Sequence, residues 1–200
     1  PRLSKEFQKL QFVGDTNHVG PTLAIEQAFQ ELKKMSAMVE SVLQLTLDVI
    51  GTFSPDKEAV DRILKYEAIT DRLQKEMGEF VANIMQLQLT RQQGLQVKSL
   101  IRMTSELESL ADKCKAIFYL QQEMNREGSG VDSKFIEDIK NFFNQVHAYY
   151  ELLFSDLLDE ETIFTNKEIE KNFLAKEMDL QTECLRLSKL AFKESGRTQE

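Results

Sequence analysis

Two short stretches of this 200-residue chain carry carboxylates at a spacing that suits a bound cation: Glu67-Ala-Ile-Thr-Asp71 and Glu108-Ser-Leu-Ala-Asp112. Side chains four residues apart share one face of a helix, so each Glu-x-x-x-Asp presents its two acids together. With Glu67 at zero and about 100° per residue, Asp71 falls near +40°, while Val60, Ile63, Val81 and Met85 fall between about −40° and +20°. The same count from Glu108 puts Val97 near −20°, Ile101 near +20°, Ala111 near −60° and Asp112 near +40°, all about as rough as the helical period. Both pairs thus interrupt an apolar stripe at the same offset. In an antiparallel hairpin, facing residues have numbers of constant sum. The pair centres, 69 and 110, average about 89.5, beside the weak segment Thr90 to Gly94, which predicts all four carboxylates at roughly one level. Clustered acids raise one another's pKa, and a hard cation would compensate them. A plainer reading stands beside this one. Lys65, Arg72, Lys75, Lys113 and Lys115 are near enough to make ordinary ion pairs on the edge of a solvated face.

The elements that position these acids are long helices. Only 3 prolines and 8 glycines occur, the prolines are Pro1, Pro21 and Pro55, and 29% of residues are charged. Sandwiches and barrels need turn residues far more often, so the chain is expected to be all-α, an up-and-down bundle. Ala24, Ala28, Leu32, Met35, Val39, Val42 and Leu43 recur at spacings of three and four, which predicts a helix from Pro21 to about Ile50. Gly51 supplies its stop, and Ser54 and Pro55 a cap and first position for a second helix from Asp56 to about Leu89. Further helices are expected from Leu95 to about Met124, from Asp132 to Leu158 beyond the Gly128-Ser129-Gly130 break, and from Asn166 to Lys193. Residues 1–20 read as an irregular lead-in, Asp159-Glu160-Glu161 as a solvated helix end, and 194–200 as a frayed polar tail.

Net charge is −8, which leaves no basic footprint for nucleic acid. No apolar window is long enough to span a membrane and no signal-peptide core opens the chain, so this piece is expected to be soluble. Cys114 and Cys184 fall within helical patterns as small buried apolar residues. The only histidines are His18 and His147. Asn144 stands three before His147, so the Glu-x-x-His motif of di-metal bundles is absent. His147, among Phe142, Phe143, Val146 and Tyr150, reads as a packed core histidine. No phosphate loop, zinc-spaced cysteines or nucleophile–base constellation is present, and no enzymatic activity is expected.

The stretch from Tyr66 to Glu76, with Leu107 to Asp112, resembles the second and third helices of a PhoU repeat, whose helices carry Glu/Asp-x-x-x-Asp in these places. The opening Pro21-Thr22-Leu-Ala-Ile-Glu26 to Met35 resembles the PhoU-like domain that follows the membrane region of bacterial sodium/phosphate cotransporter-type proteins. The resemblance implies two three-helix repeats, 21–127 and 131–193, the second lacking its last helix. Its fifth helix offers Glu168-Ile-Glu-Lys-Asn172, with Asn in place of the second acid. It also implies iron or zinc at Glu67, Asp71, Glu108 and Asp112. The function it implies is that of a non-catalytic regulator on the cytoplasmic side of the inner membrane. Its partner would be the membrane transport region of the same polypeptide or a phosphate transporter. A free-standing PhoU-type metal-binding regulator and a metal-free helical scaffold are the alternatives. If the chain ends at Glu200, apolar surface at Phe142, Phe143, Leu153, Phe173 and Leu187 is left uncovered, and a homodimer through the second half is expected.

Overall fold

Gly20 and Pro21 begin the first helix as helix starts require. The Gly20 carbonyl accepts from Ala24 N at 3.1 Å, and Pro21, which has no N–H to lose, takes the first helical position. The computed structural model describes residues 10, 20–52, 57–127, 132–157 and 167–197. Among them are five helices and no strand: α1 (Pro21–Val49), α2 (Lys57–Ile84), α3 (Arg91–Glu127), α4 (Ser133–Leu157) and α5 (Lys167–Arg197). Residues 1–9, 11–19, Ser54, Pro55, the Gly128–Gly130 break and Asp159–Glu161 lie outside the described residues.

Two boundaries beside the turn differ from the sequence reading, and a local motif explains where the third helix starts. The second helix stops at Ile84 rather than Leu89, and the third starts at Arg91 rather than Leu95, with Gly94 inside it. Thr90 and Gln93 form a capping box: Gln93 N donates to Thr90 Oγ1 at 3.2 Å and Thr90 N donates to Gln93 Oε1 at 2.9 Å. Satisfying two free helix-end groups at once outweighs the cost of one helical glycine. The fifth helix also continues to Arg197, past the expected end at Lys193.

The chain divides into two units, the first holding α1, α2 and α3 to Glu123, the second holding Ile50–Thr52, the rest of α3, α4 and α5. In the first, Gln93 Nε2 donates to Thr22 Oγ1 and Cys114 hydrogen-bonds with Thr46, so α1 and α3 run parallel. Lys115 meets Glu67 and Gln74 meets Glu108, so α2 runs antiparallel to α3. The core between them is Met35, Val39, Val42, Leu43, Ile63, Leu73, Met77, Phe80, Leu100, Leu107 and Phe118. In the second unit, Asp138 pairs with Arg186 and Glu177 lies near Tyr149, making α4 and α5 antiparallel.

Three expectations about exposure are corrected. Phe143 and Leu187 are buried rather than uncovered, because they lie on the inward arcs of packed amphipathic helices; Phe142 and Leu153 are half-buried, and the side chain of Phe173 lies outside the described residues. The large exposed apolar residues of α4 and α5 are instead Leu152, Met178 and Leu185. Cys114 is buried as expected, but Cys184 is exposed.

One glycine is required by its conformation. Gly51 ends α1 with φ of 75°, and a Cβ there would collide with the Cγ2 of Ile136 on α4. The loop is further held by Asn125 Nδ2, which donates to the Thr52 carbonyl at 3.0 Å. Gly51→Ala should cost about 1–3 kcal/mol, read as a lower midpoint in urea unfolding; an unchanged midpoint would contradict this turn geometry.

Candidate functional site

The four acids singled out by their spacing lie on the flank where α2 meets α3. On α2 the buried stripe of Ile63, Tyr66, Ile69, Thr70, Leu73, Met77, Phe80, Val81 and Ile84 centres about 95° away from Glu67 and about 135° from Asp71. On α3 the buried residues Val97, Leu100, Thr104, Leu107, Ala111, Cys114 and Phe118 centre about 70° from Glu108 and about 110° from Asp112. The acids therefore border the apolar stripes instead of interrupting them. Met85 and Ile101, placed beside the acids by the same count, are 60% and 42% exposed. Within each pair the Glu is the more enclosed, with Glu67 15% exposed and Asp71 43%, Glu108 half-buried and Asp112 exposed.

Their level is set by two interhelical bonds that agree with each other. Lys115 Nζ meets Glu67 Oε1 at 2.9 Å, and Gln74 Nε2 donates to Glu108 Oε2 at 3.2 Å. Residues 67 and 115 add up to 182, as do 74 and 108, so the hairpin turns about residue 91 rather than 89.5. That places the two acid pairs out of step by three residues, about 4.5 Å along the axis. Asp112 then faces Thr70, and Asp71 faces Ala111.

The carboxylates still share one electrostatic neighbourhood. Partial burial pushes the Glu108 carboxyl up from the usual range, and Asp112, Asp71 and Glu67 push it further, against a smaller opposing effect of Lys113. Two lysines supply the compensation. Besides the Lys115–Glu67 pair, Lys75 Nζ contacts Asp71 Oδ2 at 2.9 Å along α2, and these bonds raise the pKa of both lysines. No three of the four carboxylates bring oxygens within 4.8 Å of one another. The donor chemistry is that of a hard-cation site, but as arranged the positive charge comes from ammonium groups, and a metal would have to displace them.

Sequence reasoning named Lys75 and Lys115 as candidate partners, and both are engaged; Lys65, Arg72 and Lys113 form no ion pair with these acids. It missed Gln74, whose only signal was its place one turn beyond Asp71 on the same flank. His147 on α4 lies 3.9 Å from Glu151, an ordinary i,i+4 contact. The Cys114 thiol is pushed up to about 11, chiefly by burial and despite its bond with Thr46, which removes it as a nucleophile.

Residues 32–120 match the PhoU domain family. The matched segment starts within α1, contains all of α2 and reaches Leu120 on α3, so both acidic pairs and both lysines lie inside it. No curated protein and no solved structure matches the chain.

The raised Glu108 pKa has a sign that can be measured. A carboxyl whose folded pKa lies above its unfolded one weakens the fold at pH above the folded value and ceases to do so below about pH 4. In metal-free protein, Glu108→Gln should therefore stabilise the fold at neutral pH by about 0.2–1 kcal/mol, the scale of partly exposed charge interactions. The gain should vanish in acid. Thermal unfolding at both pH values checks it, and a loss of stability at neutral pH would show that Glu108 is not repelled.

Proposed function

We propose that this chain is a non-catalytic regulatory domain of phosphate transport, the cytosolic PhoU-like part of a sodium/phosphate cotransporter-type membrane protein. The observation that supports the reading is a coincidence of two facts. The PhoU match at residues 32–120 contains the flank on which burial together with Asp112, Asp71 and Glu67 raises the charge cost of Glu108. Among the described residues no helix is long and apolar enough to cross a membrane, and in this reading the transport step belongs to a membrane region of the same polypeptide or to a separate phosphate transporter.

Regulation would be conformational: a bundle biases a partner only if it binds two states of that partner with different affinity. The same four residues would hold iron or zinc, which when bound supplies the positive charge that Lys75 and Lys115 supply here. Releasing Lys115 from Glu67 would untie one of the bonds that join α2 and α3 at this flank, giving the flank two arrangements. A specific observation favours a second reading, a metal-free helical scaffold, in which the two lysine pairs are the final state. A free-standing regulator differs from both in having no hydrophobic region encoded upstream of Pro1.

Two experiments test the proposal. Transport measured across a phosphate series, with and without this domain, should show a changed phosphate dependence; identical curves would contradict the regulatory role. Elemental analysis of native protein should find iron or zinc that Asp71→Ala together with Asp112→Ala removes; metal retained by that variant would overturn the site, and metal absent from the native protein would leave the scaffold reading.

A further inference from the structure

Turns between helices in water draw on Gly, Pro, Asn, Asp and Ser. The connection from α2 to α3, Met85-Gln86-Leu87-Gln88-Leu89-Thr90, contains none of them. Its apolar side chains are not all spent on the core. Met85 is 60% exposed, and Leu95 at 60% and Leu23 at 50% stand out at the same end of the first unit, where the start of α1 is tied by the bond from Gln93 to Thr22. The capping box at Thr90 fixes the turn, so little ordering is left to do on binding.

Charge at this end has the opposite sign to that of the chain. Net charge is −8, yet no acid occurs from Phe80 to Ser105, and the only charged residues there are Arg91, Lys98 and Arg102. With Leu95 they fall within about 60° on one face of α3, and all four are exposed. Arg102 lies 4.0 Å from Glu106, whereas Arg91 and Lys98 have no ion pair among the described residues. The acids that bound this end are Glu26 on α1, Glu79 on α2 and Glu106 on α3. Screening over about 8 Å at physiological salt lets it act apart from the acids beyond them.

Free basic groups around protruding apolar side chains fit an anionic lipid surface. Such a surface attracts each Lys or Arg near it by about fivefold in binding, and Leu and Met side chains gain by leaving water. A protein partner would have to supply a pocket for each apolar anchor, whereas a fluid headgroup layer closes around side chains that stand out singly. A second copy of the chain would set Arg91 and Lys98 against like charges, which is costly. Exposed apolar residues of the second unit lack this setting: Met178 sits between Glu177 and Asp179, and Leu152 follows Glu151. We infer that this end of the first unit, with Leu23, Met85 and Leu95 as apolar anchors and Arg91 and Lys98 as phosphate contacts, binds the surface of an anionic phospholipid bilayer. The inference goes beyond the regulatory reading and depends on neither phosphate transport nor metal.

Co-sedimentation of the full chain with vesicles tests it, using phosphatidylglycerol and phosphatidylcholine in equal parts against phosphatidylcholine alone. The native chain should bind the anionic vesicles in preference, and added salt should weaken the binding. Arg91→Glu with Lys98→Glu should weaken it at least about tenfold, and Met85→Gln with Leu95→Gln should weaken it several-fold. Lys57→Glu with Lys65→Glu makes the same change of net charge at the other end of α2 and should leave binding within about twofold. A native chain that binds neither vesicle, which would leave these basic groups to an acidic protein surface, overturns the inference. Equal binding to both vesicles, or equal losses from the two charge-reversed pairs, overturns it as well. Should Arg91→Glu with Lys98→Glu unfold by circular dichroism, Arg91→Gln with Lys98→Gln makes the same test.

Discussion

The register of α2 against α3 is the constraint on which the rest of this structure depends. Two bonds fix it, one an ion pair from Lys115 to Glu67 and the other an amide contact from Gln74 to Glu108, and both specify the same turn point. A slip of one residue would rotate every side chain on α3 by about 100°, moving Leu100, Leu107 and Phe118 off the core and the two acids off the shared flank. Apolar packing penalises such a slip, and the polar contacts at the flank agree with the same register.

The acid-bearing flank is consequently a compromise between closeness and charge. The glutamates sit nearer the edge of the apolar stripe, where burial raises the charge cost of Glu108, and the aspartates are the more exposed member of each pair. Lysines from both helices meet the first acid pair, whereas Glu108 has only the amide of Gln74 and stays the least comfortable of the four. Positive charge is already present, but it is carried on flexible side chains that can leave. A flank with four unpaired carboxylates would demand metal to fold, and one with four lysines would exclude it.

Much of this was legible in the residues. The five helices, the all-α class and the convergence of Glu67, Asp71, Glu108 and Asp112 on one flank follow from the 3.6-residue period and the placing of Pro21 and Gly51. What was not legible has identifiable physical causes. The level of the acids was off by three residues because the average of the pair centres, about 89.5, was accepted as near enough to the Thr90–Gly94 segment, whereas the interhelical contacts turn the hairpin about residue 91, inside that segment. Period alone located the acids within the stripe because it treats Met85 and Ile101 as buried; burial depends on which helices are adjacent, and these two side chains are exposed among the described residues. Phe143 and Leu187 are buried for the opposite reason, since a pair of amphipathic helices covers more of itself than a count of missing partners suggests.

The most direct measurement of this account is a double-mutant cycle on the bond that sets the register, using Glu67→Gln, Lys115→Met and the pair, each followed by urea unfolding of metal-free protein. The account predicts a coupling of about 0.5–1 kcal/mol between the two positions, as for a partly buried ion pair, falling as salt is raised. A coupling indistinguishable from zero, with the single losses simply adding, would show that Glu67 and Lys115 do not meet across α2 and α3 and would remove the basis for placing the four carboxylates on one flank.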